Sequence, residues 1–175
     1  MKFEKNLIFF INQEIFEKLK KCVLKASPNE SFGLILGSKP LEIPLENPGE
    51  FQYQFSAEVF ECIESDESSP VNFLSENVEE LNRIIKDANQ KYDMRVLSIF
   101  HSHPGGAYPS GFDVNYMKFL DEFYTDLLKP PRMLKTAIKN QIWTIMDASN
   151  YELNGFIYLQ GEYLQVNVQI KSEQK

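Results

Sequence analysis

A chain of 175 residues with a formal net charge of −7 and a pI near 4.9 is poorly suited to broad, non-specific nucleic-acid binding, which needs a basic surface. Its length fits a single domain over 1–175, and with 43% hydrophobic and 25% charged residues it can bury a core without a structural metal or a disulfide framework. No run approaches the ~20 apolar residues of a membrane span, and a metal in such a protein would serve chemistry and not folding.

The N-terminal "MKFEKNLIFFINQEIF" is broken by acidic residues and lacks a small-residue cleavage site, so it does not read as a secretory signal. Asn6–Ile11 reads as a short buried strand. A helix follows, with Asn12 as its N-cap and Ile15, Leu19, Cys22 and Val23 on one face; Ser27-Pro28-Asn29 ends it. The two cysteines, Cys22 and Cys62, lie far apart and form no C-x-x-C pattern. They read as buried or idle thiols of a reducing compartment, which makes the expected location the cytoplasm.

Glu30–Ser38 is a compact apolar run suited to a central strand, with "PLEIPL" beside it as an edge, since Pro44 fits poorly inside a sheet. Phe51–Phe55 alternates apolar and polar residues as a strand does. The acidic, turn-rich 64–70 segment reads as a solvated loop. From Ser75 to Tyr92 the pattern is helical, with Ser75 as cap and Val78, Leu81, Ile84 or Ile85, and Ala88 as the apolar stripe.

Arg95–Phe100 is a strand that leads directly into His101. A helix capped by Ser110 comes next, with Met117, Leu120, Phe123 and Tyr124 facing inward. Residues 123–140 carry Pro130-Pro131 and a basic cluster, and read either as a surface loop or second helix or as an insertion facing a substrate. Three strands, "QIWTIMDA", "YELNGFIYLQ" and "EYLQVNVQIK", close the chain before a frayed tail at about 171–175. The order β-α-β-β-β-α-β-α-β-β-β describes an α/β (α+β) sandwich.

Both histidines of the chain lie in "FHSHPGGAYPSGFD". On a strand, His101 and His103 project to the same side, because successive Cβ atoms alternate. Two imidazoles can then converge on one ion, and a catalytic zinc takes three protein ligands and leaves a fourth position open. Asp113, in the first turn of the next helix, supplies the third, and the turn residues 104–109 bring it back toward the histidines. The competing reading makes all three ordinary: polar residues at a strand end, and an aspartate favoured by the helix dipole.

"HSHPGGAYPSGFD" resembles the signature of the JAMM, or MPN+, zinc metalloproteases, in which His-x-His-Pro and Ser-x-x-Asp are joined by a loop and a glutamate comes from an earlier strand. "NESFGLILGS" looks like that earlier segment. The resemblance runs through most of the chain and implies a cytidine-deaminase-like JAB domain fold, a mixed curved sheet flanked by helices. It implies one zinc ion per chain on His101, His103 and Asp113, with Glu30 as general base and Ser110 as donor to the oxyanion of the tetrahedral intermediate.

The implied activity is a metallo-isopeptidase or peptidase, deubiquitinase-like or tail-processing. It would hydrolyse the bond after the C-terminal Gly-Gly of a ubiquitin-like or sulfur-carrier protein. The implied partners are that substrate and an activating subunit, not nucleic acid or membrane. Two alternatives use the same fold: a non-catalytic scaffold subunit, and a zinc amidohydrolase acting on a small amide. From chemistry alone, Glu30 reads as a solvated turn residue and Ser110 as a helix cap. The loop between His103 and Ser110 is one residue shorter than the family's, a shortening that Gly105-Gly106 makes sterically feasible.

Overall fold

A computed structural model describes residues 2–63, 78–126, 141–159 and 161–172. The elements are β1 (Lys2–Asn12), α1 (Gln13–Ala26), β2 (Phe32–Gly37), β3 (Leu41–Pro44), β4 (Phe51–Ser56), β5 (Val59–Ile63), α2 (Val78–Tyr92), β6 (Arg95–His103), α3 (Gly111–Asp126), β7 (Ile142–Asp147), β8 (Leu153–Leu159) and β9 (Glu162–Lys171). The 64–70 loop, the Ser75 cap and 127–140 of the expected insertion lie outside the described residues, as do the side chains of Phe123 and Tyr124. Among the described residues no helix is long and apolar enough to cross a membrane.

Among the described residues, nine strands join one mixed sheet in the order β3-β4-β1-β9-β8-β7-β6-β2-β5. The strand expected over Phe51–Phe55 is β4; a further strand, β5, follows it, and the two lie near opposite ends of this order. Only Ala57 and Glu58 separate them: the Ala57 amide donates to the Phe10 carbonyl at 2.9 Å and the Glu58 amide to the Leu36 carbonyl at 2.9 Å. One short link therefore bonds both to β1 and to β2, and the sheet must curl to allow it. β3 is an edge strand, but it pairs with β4, Ile43 opposite Gln52, and not with β2 as its place in the chain suggested. The three-residue spacer behind β2 leads it to the other margin of the curl.

The inner face of the curl holds α1. Asn12 caps the helix by accepting from the Ile15 amide at 2.8 Å, and the predicted face of Ile15, Leu19, Cys22 and Val23 is buried against Phe9, Ile35, Phe100 and Met146. Each such side chain contributes roughly 1.5–3 kcal/mol by leaving water. On the other face, Leu81, Ile84 and Ala88 of α2 and Met117 and Leu120 of α3 cover Leu34, Ile99, Trp143 and Phe156. With helices on both sides, β2 and β7 are buried at every position, which is why they read as unbroken apolar runs.

The cysteines correct an expectation. Cys22 and Cys62 are not free thiols; they form a disulfide with Cα atoms 5.9 Å apart. The bridge ties the end of α1 to β5. No spacing rule could have announced it, because a helix and an edge strand 40 residues apart meet only once the sheet has curled.

Candidate metal centre

The histidines owe their direction to a bulge. Along the β2–β6 ladder Ile35 faces Ser98 but Leu36 faces Val96, so Leu97 is an extra residue on β6. It turns into the α1 core, while Val96 and Ile99 both point to the α2–α3 side. Beyond the bulge the alternation resumes, and His101 and His103 follow Ile99 onto the α2–α3 side. His101 is fully buried and meets the edge of Trp143, with ring centroids 5.7 Å apart.

Asp113 arrives from the start of α3. Ser110 and Asp113 form a reciprocal cap: the Ser110 amide donates to Asp113 Oδ2 at 2.7 Å, and the Asp113 amide donates to Ser110 Oγ at 3.2 Å. The Ser110 hydroxyl also donates to Asp113 Oδ2 at 2.7 Å. The serine expected at an oxyanion is thus engaged in holding the aspartate. Asp113 itself is 2% exposed.

The three side chains converge. The two histidine Nε2 atoms are 3.1 Å apart, His101 Nε2 lies 3.5 Å from Asp113 Oδ1 and His103 Nε2 lies 3.4 Å from Asp113 Oδ2. A tetrahedral ion with bonds of about 2.0–2.1 Å separates its ligand atoms by about 3.3–3.4 Å, so the donor set fits zinc in type and in spacing. Among the described residues this trio is the one cluster able to hold a metal.

Charge and burial are coupled here. Burial alone would raise the Asp113 carboxyl, but hydrogen bonds from His101, His103 and Ser110 outweigh it and hold the group well below the ordinary carboxylate range. His103 is raised, first by its bond to Asp113, with Glu30 and the Tyr108 backbone adding against the effect of burial.

Glu30 reaches the same place from the α1–β2 connection. The ladder pairs Phe32 with His101; one step further, the Ser102 amide donates to the Ser31 carbonyl at 3.1 Å. The Ser31 amide and hydroxyl both donate to Ser102 Oγ, at 2.9 and 3.0 Å. That double clamp sets Glu30 beside the His103 end of β6. Half-buried, its carboxyl is raised, chiefly by desolvation and against the pull of His103 and His101. A glutamate that looked like a solvated turn residue is electrostatically part of the cluster.

Sequence reasoning missed three neighbours. Asp147, opposite His103 on β7, accepts from the Gly106 amide at 2.8 Å and from the Ser149 amide and hydroxyl at 2.7 Å. It anchors the short loop, in which Gly106 takes a positive φ of 95°. The Asp-x-Ser turn signal in "MDASN" was available for it. Ser102 carried no signal, lying between two histidines that drew attention away. Tyr163, on β9, stacks on Phe156 at 5.7 Å; its hydroxyl is buried without a partner among the described residues, and burial with the nearby Asp113 charge pushes its pKa up.

A family model described as prokaryotic homologs of the JAB domain matches residues 12–145. The chain belongs to this family. The JAB family includes metalloproteases, and the His101–His103–Asp113 cluster fits the zinc site of its JAMM members. Among solved structures, the JAB chain is similar to the solution structure of protein DSY2949 from Desulfitobacterium hafniense, with 19% identity over 95% of this chain and 94% of that one and a TM-score of 0.61. It is also similar to the crystal structure of AF2198, a JAB1/MPN domain protein from Archaeoglobus fulgidus, with 14% identity over 93% and 98% and a TM-score of 0.45. No curated protein sequence matches it. The mixed α+β architecture, a curled mixed sheet flanked by helices, is that of the JAB fold.

Proposed function

We propose that this JAB protein is a zinc-dependent peptidase or isopeptidase that hydrolyses the amide bond after the C-terminal Gly-Gly of a ubiquitin-like or sulfur-carrier protein. The observation that carries the reading is the convergence of His101, His103 and Asp113 at zinc-like spacing, with the carboxyl of Glu30 raised beside them. Zinc held by these three residues would act as a Lewis acid and bring the pKa of a bound water toward ~7.

The chain's own residues supply the rest. Asp113, held ionised, and the two imidazoles keep the donor atoms aimed at one point, while Trp143 packs against the His101 ring and Asp147 fixes the loop. Glu30 accepts the proton of the attacking water and returns it to the leaving amine; a carboxylate raised by desolvation is a stronger base for this than a solvated one. Ser110 steadies Asp113 through the cap, and its hydroxyl must turn from that carboxylate to donate to an oxyanion.

The loop and helix start that carry Asp113 also present exposed residues, Tyr108, Ser110 and Phe112, and Phe112 is 81% exposed. A glycine tail adds no side chains to hinder entry and can lie against a strand edge. A purely scaffolding role has no observation in its favour, since no member of the ligand-and-base set is missing. The test is cleavage of Gly-Gly-linked fusions of the source organism's ubiquitin-like and sulfur-carrier proteins. Cleavage is expected to stop with chelator and return with zinc; chelator-resistant cleavage, or none with any such fusion, would count against the reading.

A further inference from the structure

The Cys22–Cys62 bridge does not serve the site just described, yet it has the surroundings of a reactive group. Cys22 is 4% exposed, whereas Cys62 lies open on the edge strand β5. Lys18, Lys21 and Lys25, one helical turn apart on α1, line the same pocket as both cysteines, together with Phe60. Lys18 also reaches Glu14 at 2.7 Å. In a protein of net charge −7, three lysines thus stand beside the bridge and its exposed Cys62.

We infer that this bridge is a thiol–disulfide exchange site for small anionic thiols, and that its redox state controls the hold on the Glu30 connection. The chemistry balances with a thiol as reductant. A thiolate attacks the sulfur of the exposed Cys62, the sulfur–sulfur bond breaks, and Cys22 leaves as a thiolate, a form that the lysine ammonium groups favour and its burial opposes. A second thiolate attacks the mixed disulfide, releasing Cys62 and the oxidised dimer of the reagent. Two electrons pass from two thiols to the bridge, and each protein sulfur ends with a proton.

The consequence follows from position. Glu30 lies in the short connection between α1 and β2. Cys22 sits one turn before the end of α1, and Cys62 is the ladder partner of Gly33 on β2. The bridge therefore closes a clamp around both ends of that connection. Opening it removes the covalent tie between the end of α1 and β5, so the connection that carries Glu30 is held by packing, the β2 ladders and the Ser31–Ser102 bonds. His101, His103 and Asp113, on β6 and α3, keep their supports. This consequence deepens the peptidase reading, but the exchange itself does not depend on it.

The experiment equilibrates the purified full chain in mixtures of reduced and oxidised glutathione, traps thiols with a maleimide and follows amide exchange by mass spectrometry. The expected result is reversible release of two thiols per chain, amide exchange across residues 27–37 faster by about threefold or more, and unchanged zinc binding. The Lys18→Gln/Lys21→Gln/Lys25→Gln variant should react about tenfold more slowly with glutathione but within about twofold of wild type with neutral 2-mercaptoethanol. A folded bridge that resists glutathione, unchanged exchange at 27–37 on reduction, or equal slowing with both thiols overturns the inference. None of these readouts needs a substrate, so failure of the peptidase reading would be seen separately.

Discussion

Asp113 performs two tasks with one carboxylate: it completes the cap of α3 through Ser110 and it faces two imidazole nitrogens. The first task fixes its position, so the second needs no further ordering when an ion arrives. Tyr163 is the opposite case, a hydroxyl buried near Asp113 with no partner among the described residues. A buried unsatisfied hydroxyl costs about 1–3 kcal/mol, so Tyr163→Phe should be neutral or stabilising by up to about that amount in chemical denaturation. A clear loss of stability would show that the hydroxyl is satisfied in solution. At this scale the motif was legible, because His101, His103, Ser110 and Asp113 lie within thirteen residues and local geometry decides where they point. Glu30 was legible only through resemblance. Its placement depends on the β2–β6 ladder, which no local pattern encodes.

At the scale of elements, the Ser31–Ser102 clamp joins the connection carrying Glu30 to the histidine strand. Ser102→Ala leaves the buried Ser31 amide without its acceptor, so a stability loss of about 1–3 kcal/mol is expected. Turnover should fall with zinc content unchanged; simultaneous loss of zinc would mean that the clamp supports the ligands and not the base. Asp147 does for the loop what Ser102 does for the strand. Its carboxyl is held below the ordinary range by Ser149 and Gly106. A depressed carboxylate pKa contributes stability above the unfolded value of about 3.9, and that contribution is lost as pH falls through the lower folded value. The stability gap between wild type and Asp147→Asn should therefore be full near neutral pH and shrink in acid; a gap that is constant or widens in acid would refute the assignment. α1 and β6 were readable because a cap, an apolar face and an alternating run are local signals. The division of 51–63 into two strands was not, since it depends on bonds from Ala57 to β1 and from Glu58 to β2.

For the whole molecule, curling brings the end of α1 against β5 and makes the Cys22–Cys62 bridge geometrically available. The expectation of idle thiols failed because pairing is a property of the curled sheet. Removing the bridge with Cys22→Ser/Cys62→Ser should lower stability by about 2–4 kcal/mol, read as a fall in Tm of about 2–4 °C for each kcal/mol; an unchanged Tm would mean the bridge adds nothing to the fold. The curl also leaves one side of the sheet to α2 and α3, and there the bulge of β6, the cap of α3 and the start of β2 meet. We propose that this meeting is a hydrolytic centre. Its most direct test is single-turnover cleavage of a Gly-Gly-linked fusion by zinc-loaded wild type and zinc-loaded Glu30→Gln. With equal zinc content, the variant is expected to be slower by about 10²–10⁴-fold, whereas equal rates would contradict the assignment of Glu30 as the base.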